Sequence, residues 1–353
     1  MGHLILSTAI GGFGAHPGAA GDARLLVSVA HYRRLLTAAD TAGLTFVLLD
    51  DGRAVVGERP APQLDPLAVF ARLAFETHHI GLAAAVPTTY SEPFHVSREL
   101  ATLDFVSSGR AAWSVTTTAG DEAAANYGRD RAPSDTERRS RAHEFVAVSR
   151  KLWDSWEDNA VIADRERGLY VDPSKLHHID HVGPHFQVRG PQITYRPPQG
   201  HIVVIQDDAG DPAVTPSAHV GDVLLVHQPT PETARAAAEA YRAAAYSAGR
   251  EIRVLQRVLV ILGATASEAQ ARAAALDAAA GDLHAPNALR LVGTAAETAD
   301  ELERWFHAGA ADGFHLLPAT IPGDVEAIIS QLAPALRERG LLDPNPSGTL
   351  REQ

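Results

Sequence analysis

A (β/α)8 TIM barrel with an irregular insertion around 157–200 is the fold class this sequence predicts. Short apolar runs alternate with amphipathic stretches along the whole chain. There are eight strand–helix units, the number a closed barrel of this kind requires. The apolar runs are continuous, as in parallel strands buried on both faces. A single domain over 1–353 holds them all.

The elements follow in order. LILSTAI (4–10) reads as the first strand, and apolar spacing over 29–42 as the first helix. TFVLLD (45–50) is the second strand, with a helix from Pro66 to Thr77. HIGLAAAV (79–86) is the third, with a helix over 93–106. RAAWSVTT (110–117) is the fourth, followed by a long polar helix over 135–156. Residues 157–200 are rich in Gly, Pro and His and read as an excursion from the barrel. HIVVIQ (201–206) and DVLLVH (222–227) are the fifth and sixth strands, and a helix fills 231–248. LQRVLVILG (255–263) is the seventh, followed by helices over 266–279 and 295–309. DGFHLLP (312–318) is the eighth, and 321–339 the last helix. PNPSGTLREQ is a polar end. A doubly wound sheet would carry G-x-G-x-x-G after its first strand. The first turn here is GGFGAHPG, with Pro17 in place of the third glycine, so that fingerprint fails.

The chain has 353 residues, 45% of them hydrophobic, and a net charge of −12. So acidic a chain repels phosphate backbones, which argues against nucleic-acid partners. With no cysteine there is no disulfide, thiolate metal site or cysteine nucleophile. The start, MGHLILSTAIGG, lacks a basic region ahead of a long apolar run, and no segment approaches about 18 uninterrupted apolar residues. The expectation is a cytoplasmic protein with no membrane span.

Some motifs weaken on inspection. HHIDH (177–181) with His185 has helix-like metal spacing, but Gly183-Pro184 breaks any helix there, so no metal site is expected. DDAGD (207–211) matches the magnesium-holding DDxxD string of prenyl-transferring enzymes. That string needs a helix, and here it follows a strand. Trp153 and Trp156, three apart on a helix, are expected in the core. In a barrel the chemistry belongs to loops at the strand C-termini: 14–18, 50–52, 87–93, 114–121, 207–211 and 227–229. Gly, Pro and Asp are also ordinary turn formers, so each loop alone has a plain structural reading.

Taken together, these segments resemble a family. EPFHVSRELATLDFVSSGRAAWSVTTTA (92–119) is similar to flavin-dependent monooxygenases of the bacterial luciferase-like superfamily. The branch is that of the nitrilotriacetate, long-chain alkane and dibenzothiophene-sulfone monooxygenases. NYG (126–128), EFVAVSRKLWDSWEDNA (144–160), IDHVGPHFQVRGP (179–191), RPPQGHIVVIQ (196–206), ADGFHLLPAT (311–320) and SGTLRE (347–352) extend the likeness in the same order. The resemblance implies a TIM barrel and FMN, delivered in reduced form by a separate flavin reductase. It also implies oxygen as co-substrate, a small-molecule substrate and a homodimer. No acid–base triad is implied; the protein holds the ring, excludes water and positions the substrate.

Carried across by resemblance, the flavin contacts fall on Asp51, on Thr88 and Thr89, and on Thr117 and Thr118. Ser114 replaces the family's asparagine, and Arg139 and Asp135 replace a tyrosine and a histidine near the phosphate. The phosphate loop QAGxSxxG aligns without a gap from Gln206. Its Ala-Gly is Asp207-Asp208 here, its Ser is Gly210, and its last Gly is Ala213. A phosphate at about 4 Å from one carboxylate is disfavoured by roughly 4 kcal/mol at an effective dielectric of about 20, before salt screening. Arg139 is the expected rescuer, either paired with Asp207 and Asp208 or bound to the phosphate. The chain is also short around 277–293, where the branch carries a long insertion near the mouth. Two readings follow. One is an FMN-dependent, two-component monooxygenase. The other is a flavin-free relative acting as a partner subunit, binding protein or cofactor-independent enzyme.

Overall fold

The computed structural model describes residues 2–51, 61–207, 220–343 and 346–353. Eight parallel strands close into a ring. They are β1 (Ile5–Ala9), β2 (Phe46–Leu49), β3 (Gly81–Pro87), β4 (Ala111–Thr116), β9 (Val203–Asp207), β10 (Val223–Val226), β11 (Arg253–Leu262) and β13 (Gly313–Pro318). Each pairs with the next, and β13 closes on β1, with Ser7 opposite His315.

Helices cover the ring: α1 (Val29–Thr41), α2 (Pro66–Leu73), α3 (Pro93–Val106), the short α4 (Asp121–Ala125), α5 (Asp135–Trp153), α6 (Pro231–Ser247), α7 (Ala266–Ala280) and α8 (Ala295–His307). Their starts are encoded locally. Ser28, Asp65 and Ser134 each accept a first-turn N–H, and Thr230 and Thr294 form capping boxes. Their inner faces and the outward strand residues make the main core, including Phe70, Trp113, Phe145, Trp153 and Trp305. Trp153 and Trp156 are buried as expected, donating to Ser97 O and Gln192 O.

The structure departs from the sequence reading in four places. Residues 289–293 form a further parallel strand, β12, beside the upper half of β11. It is only partly buried, so its apolar signal is faint. The last helix, expected over 321–339, runs without a break over 323–338 but is not α throughout: α9 (Gly323–Ala327) passes through a π turn (328–332) into α10 (Ala333–Glu338). The excursion is built of two small antiparallel hairpins, β5–β6 (Val161–Asp164, Leu169–Val171) and β7–β8 (His181–Val182, Gln187–Val188). Glu144 of α5 holds the second, accepting from His181 Nε2 and from the N–H groups of His185 and Phe186.

Finally, the polar end is a plug. Leu350 enters the bottom of the lumen among Phe46, Leu48 and Val203. Its N–H donates to Gly109 O. A Cβ on Gly81 would sit 2.7 Å from the Leu350 side chain, so glycine makes room for it. Next to it, Arg351 joins Arg150 and Arg250 around the buried Asp222.

Candidate functional site

Alternation along each strand sends every second side chain into the lumen. The lower lumen is apolar, with Phe46, Leu48, Ile205, Leu225 and Leu255. Continuing the same alternation upward places Ser7, Asp50, Ser114, Asp207, His227, Arg257 and His315 around the upper lumen, at the C-terminal ends of the strands. In a barrel of this type, that is the end where ligands bind.

Arg257 is the hub of this ring. It lies beside His315 in the β11–β13 register, and its Nη1 is 3.8 Å from Asp207 Oδ1. His315 is fully enclosed, with Nδ1 2.9 Å from Ser7 Oγ and its ring stacked on Phe46. Burial, with the Arg257 charge adding to it, pushes His315 down to about 3, so the imidazole is neutral. His227 is lowered by the same two causes in the same order. Asp50 moves the other way. It is open to the mouth but enclosed by the barrel walls. Desolvation, then the Asp207 charge, push it up to about 6, with Asp51 adding and Arg257 opposing.

The residues expected from sequence divide into groups. Ser114 and Asp207 reach the upper lumen. Asp51 lines a cleft of about 360 Å³ beside the mouth, with Asp65, Ala85, Tyr90 and His95. Thr88 and Thr89 are buried and tie two loops together: Thr88 Oγ1 donates to Thr116 O, and Thr89 Oγ1 accepts from Thr118 N. Thr117 is exposed at the rim. Asp208 and Gly210 lie outside the described residues.

Arg139 does not pair with Asp207. Its Nε donates to Asp135 Oδ2 at 2.6 Å, one turn away on the same helix, and Arg138 joins the same carboxylate at 3.1 Å. The guanidinium facing Asp207 is that of Arg257. Arg257 and His315 were both missed from sequence, although His315 is a lone polar residue inside an apolar strand and Arg257 a charged one. Arg141 was missed too. It donates to Thr88 O and Ser91 O and lies 4.2 Å over the Phe186 ring, fixing the loop after β3 against α5.

The first loop, GGFGAHPG, is shaped by packing. A Cβ on Gly14, whose φ is +125°, would collide with Ala319 O, and one on Gly18 with Leu276 O. His16 accepts from Gly18 N, and its Nε2 faces Asp277, which Arg290 also holds. This clasp spans the shortened 277–293 region. The histidines of the excursion go to separate partners: His177 to Glu157, His178 to Gly190 O, His181 to Glu144 and His185 to Ser140. Among the described residues no helix is long and apolar enough to cross a membrane.

The polar atoms left over at this end suit a ring with hydrogen-bonding edges. Thr116 Oγ1 and Tyr90 Oη are buried without a hydrogen-bond partner among the described residues. Buried polar atoms of this kind are rarely left unsatisfied without a reason. A flavin edge carries both N–H donors and C=O acceptors, so the residues present fit that group.

Comparison with known proteins agrees with this geometry. The family described as luciferase-like monooxygenase matches residues 4–341. Nitrilotriacetate monooxygenase component A of Aminobacter aminovorans is 31% identical, over 85% of this chain and 80% of that one. N-acetyl-S-(2-succino)cysteine monooxygenase of Bacillus subtilis (strain 168) is 29% identical, over 96% and 91%. The crystal structure of a long-chain alkane monooxygenase superposes with a TM-score of 0.89 at 25% identity, covering 100% of this chain and 95% of that one.

Proposed function

The chain belongs to the luciferase-like monooxygenase family, and from that premise we propose that it is a flavin-dependent monooxygenase acting on a small organic substrate. The observation that carries the reading is the match of residues 4–341, on a barrel whose ligand-binding end holds the polar ring around Arg257. Reduced FMN, delivered by a separate reductase, would supply two electrons and activate dioxygen. A relative named as component A supports the two-component form. The reading extends to a cytoplasmic homodimer, which light scattering checks.

The chain's own residues have definite tasks in this reading. Asp51, Ser114, Thr88 and Thr89 line or brace the ring end, and Thr116 and Tyr90 offer it their spare hydrogen-bonding atoms. Thr117 and Thr118 form the rim. The phosphate end falls to Asp207 and, by the sequence resemblance alone, to Asp208 and Gly210, with Arg139 and Arg138 of α5 as its cations. Arg257 offsets the Asp207 charge from inside the barrel, so Asp207 is not an uncompensated carboxylate facing an anion. The cleft lined by Asp51 and His95 opens beside the mouth and offers the substrate a way in. The apolar lower lumen, sealed by Leu350, keeps water from reaching the ring from below.

The test is turnover. Purified protein, a flavin reductase, NADH and FMN are supplied with a panel of amines, sulfides, sulfones and alkanes. Substrate-dependent oxygen uptake with an oxygenated product supports the reading. Reductase-only oxygen uptake across the panel, together with no change in FMN absorbance or fluorescence on adding the protein, refutes it.

A further inference from the structure

The polar ring contains one ionisable group that is open to the mouth and has no role in the scheme above. Asp50 directly follows the second strand. Its phase follows Phe46 and Leu48, both in the lumen cluster, so its carboxyl projects into the upper lumen and not toward the helices. It is exposed there, whereas Asp51 is half-buried in the neighbouring cleft. Among the described residues, the charged and titratable groups facing it are Asp51 on its own element, Asp207 from β9, His227 from β10, Arg257 from β11 and His315 from β13. His315 and His227 are held neutral, and the Arg257 guanidinium is a permanent cation. Of the lumen-facing groups, Asp207 lies 3.8 Å from Arg257. Asp50 is therefore the lumen carboxyl placed to change protonation state near neutral pH while open to a bound substrate.

We propose that Asp50 is the proton-exchanging group of the barrel mouth, with Arg257, whose guanidinium shares the upper lumen, as a positioning residue beside it. The proposal rests on the monooxygenase reading. In that reaction one oxygen atom of dioxygen is added to the substrate and the other leaves as water. The oxidation of reduced flavin supplies both electrons and both protons. As the O–O bond breaks, the Asp50 carboxyl gives its proton to the departing oxygen. It is then reprotonated by one of the two protons that flavin oxidation releases, so the carboxyl is unchanged over the cycle. A carboxyl raised to about 6 suits such a donor, since it is protonated for a useful fraction of the time near neutral pH. The neighbouring Arg257 charge keeps it from rising further.

The first readout needs no flavin. Carbon-13 NMR of aspartate-labelled, flavin-free protein is titrated from pH 3 to pH 9. One carboxyl should titrate near 6, vanish in Asp50→Asn and move to higher pH in Arg257→Met. The second readout is turnover: Asp50→Asn should lose about 100-fold in kcat with little change in KM, Asp50→Glu should recover part of it, and the wild-type rate should fall above about pH 6. A titration unchanged by either substitution, or an Asp50→Asn enzyme with the wild-type pH profile, overturns the proton role. Failure of the wild type to take up flavin would instead refute the monooxygenase reading, and the NMR titration would remain to be judged by itself.

Discussion

Two aspartates show how position sets the sign of a charge effect. Asp50 is held above the ordinary carboxylate value of 3.8, so the folded chain binds that proton more tightly than the unfolded chain does. Its contribution is favourable at low pH and is lost as pH rises from about 4 to about 6. Asp50→Asn should raise Tm by about 1–2 °C at pH 8 and leave it unchanged at pH 3.5, the small size reflecting exposure to the mouth. Scanning calorimetry at the two pH values checks this. Asp222 has the opposite sign. Burial alone would raise it, but Arg351 and Arg150 outweigh burial and hold it below 3.8. Its contribution is present above that value and is lost as pH falls. Asp222→Asn leaves three guanidiniums around a neutral amide and should cost about 3–5 kcal/mol in urea unfolding at pH 7. A loss below about 1 kcal/mol would mean the cluster is screened by water.

At the scale of elements, most strands and helices were legible because apolar runs and caps are local signals. The residues 93–106 reading coincides with α3, and Ser134 and Thr230 mark real helix starts. What faces inward was not legible. A strand buried on both faces is apolar on both, so HIVVIQD does not reveal that the side shared by Ile205 and Asp207 faces the lumen, nor LQRVLVIL that the side of Leu255 and Arg257 does. For the same reason the ion pair across β10 could not be found, and Arg139, aligned beside the family's phosphate contacts, looked the better partner. The plug was missed because one leucine in PNPSGTLREQ carries no period at all. Leu350→Ala should cost about 2–5 kcal/mol, the range for emptying a packed aliphatic site. Asp277→Ala should release the first loop from its clasp. Limited proteolysis of that variant should cut within 11–20 faster than in wild type.

For the molecule as a whole, barrel closure is what makes the site. Charged residues far apart in sequence, at 50, 207 and 257, meet only because eight strands return to a common axis. The count of eight was readable from sequence, and the barrel rule pointed to the loops at the strand C-termini. The charge balance was not readable, because it depends on which side of each strand a residue takes. The account's central claim is that this mouth takes reduced FMN, with Arg257 compensating the Asp207 carboxylate. The most direct test is anaerobic titration of the purified protein with reduced FMN, for wild type and Arg257→Met. The account predicts saturable one-to-one binding by the wild type, weakened at least about tenfold in the variant, as expected when the carboxylate beside an anionic ligand loses the cation facing it. Wild type that shows no binding up to about 1 mM reduced FMN, or binding that is indifferent to Arg257, would contradict it.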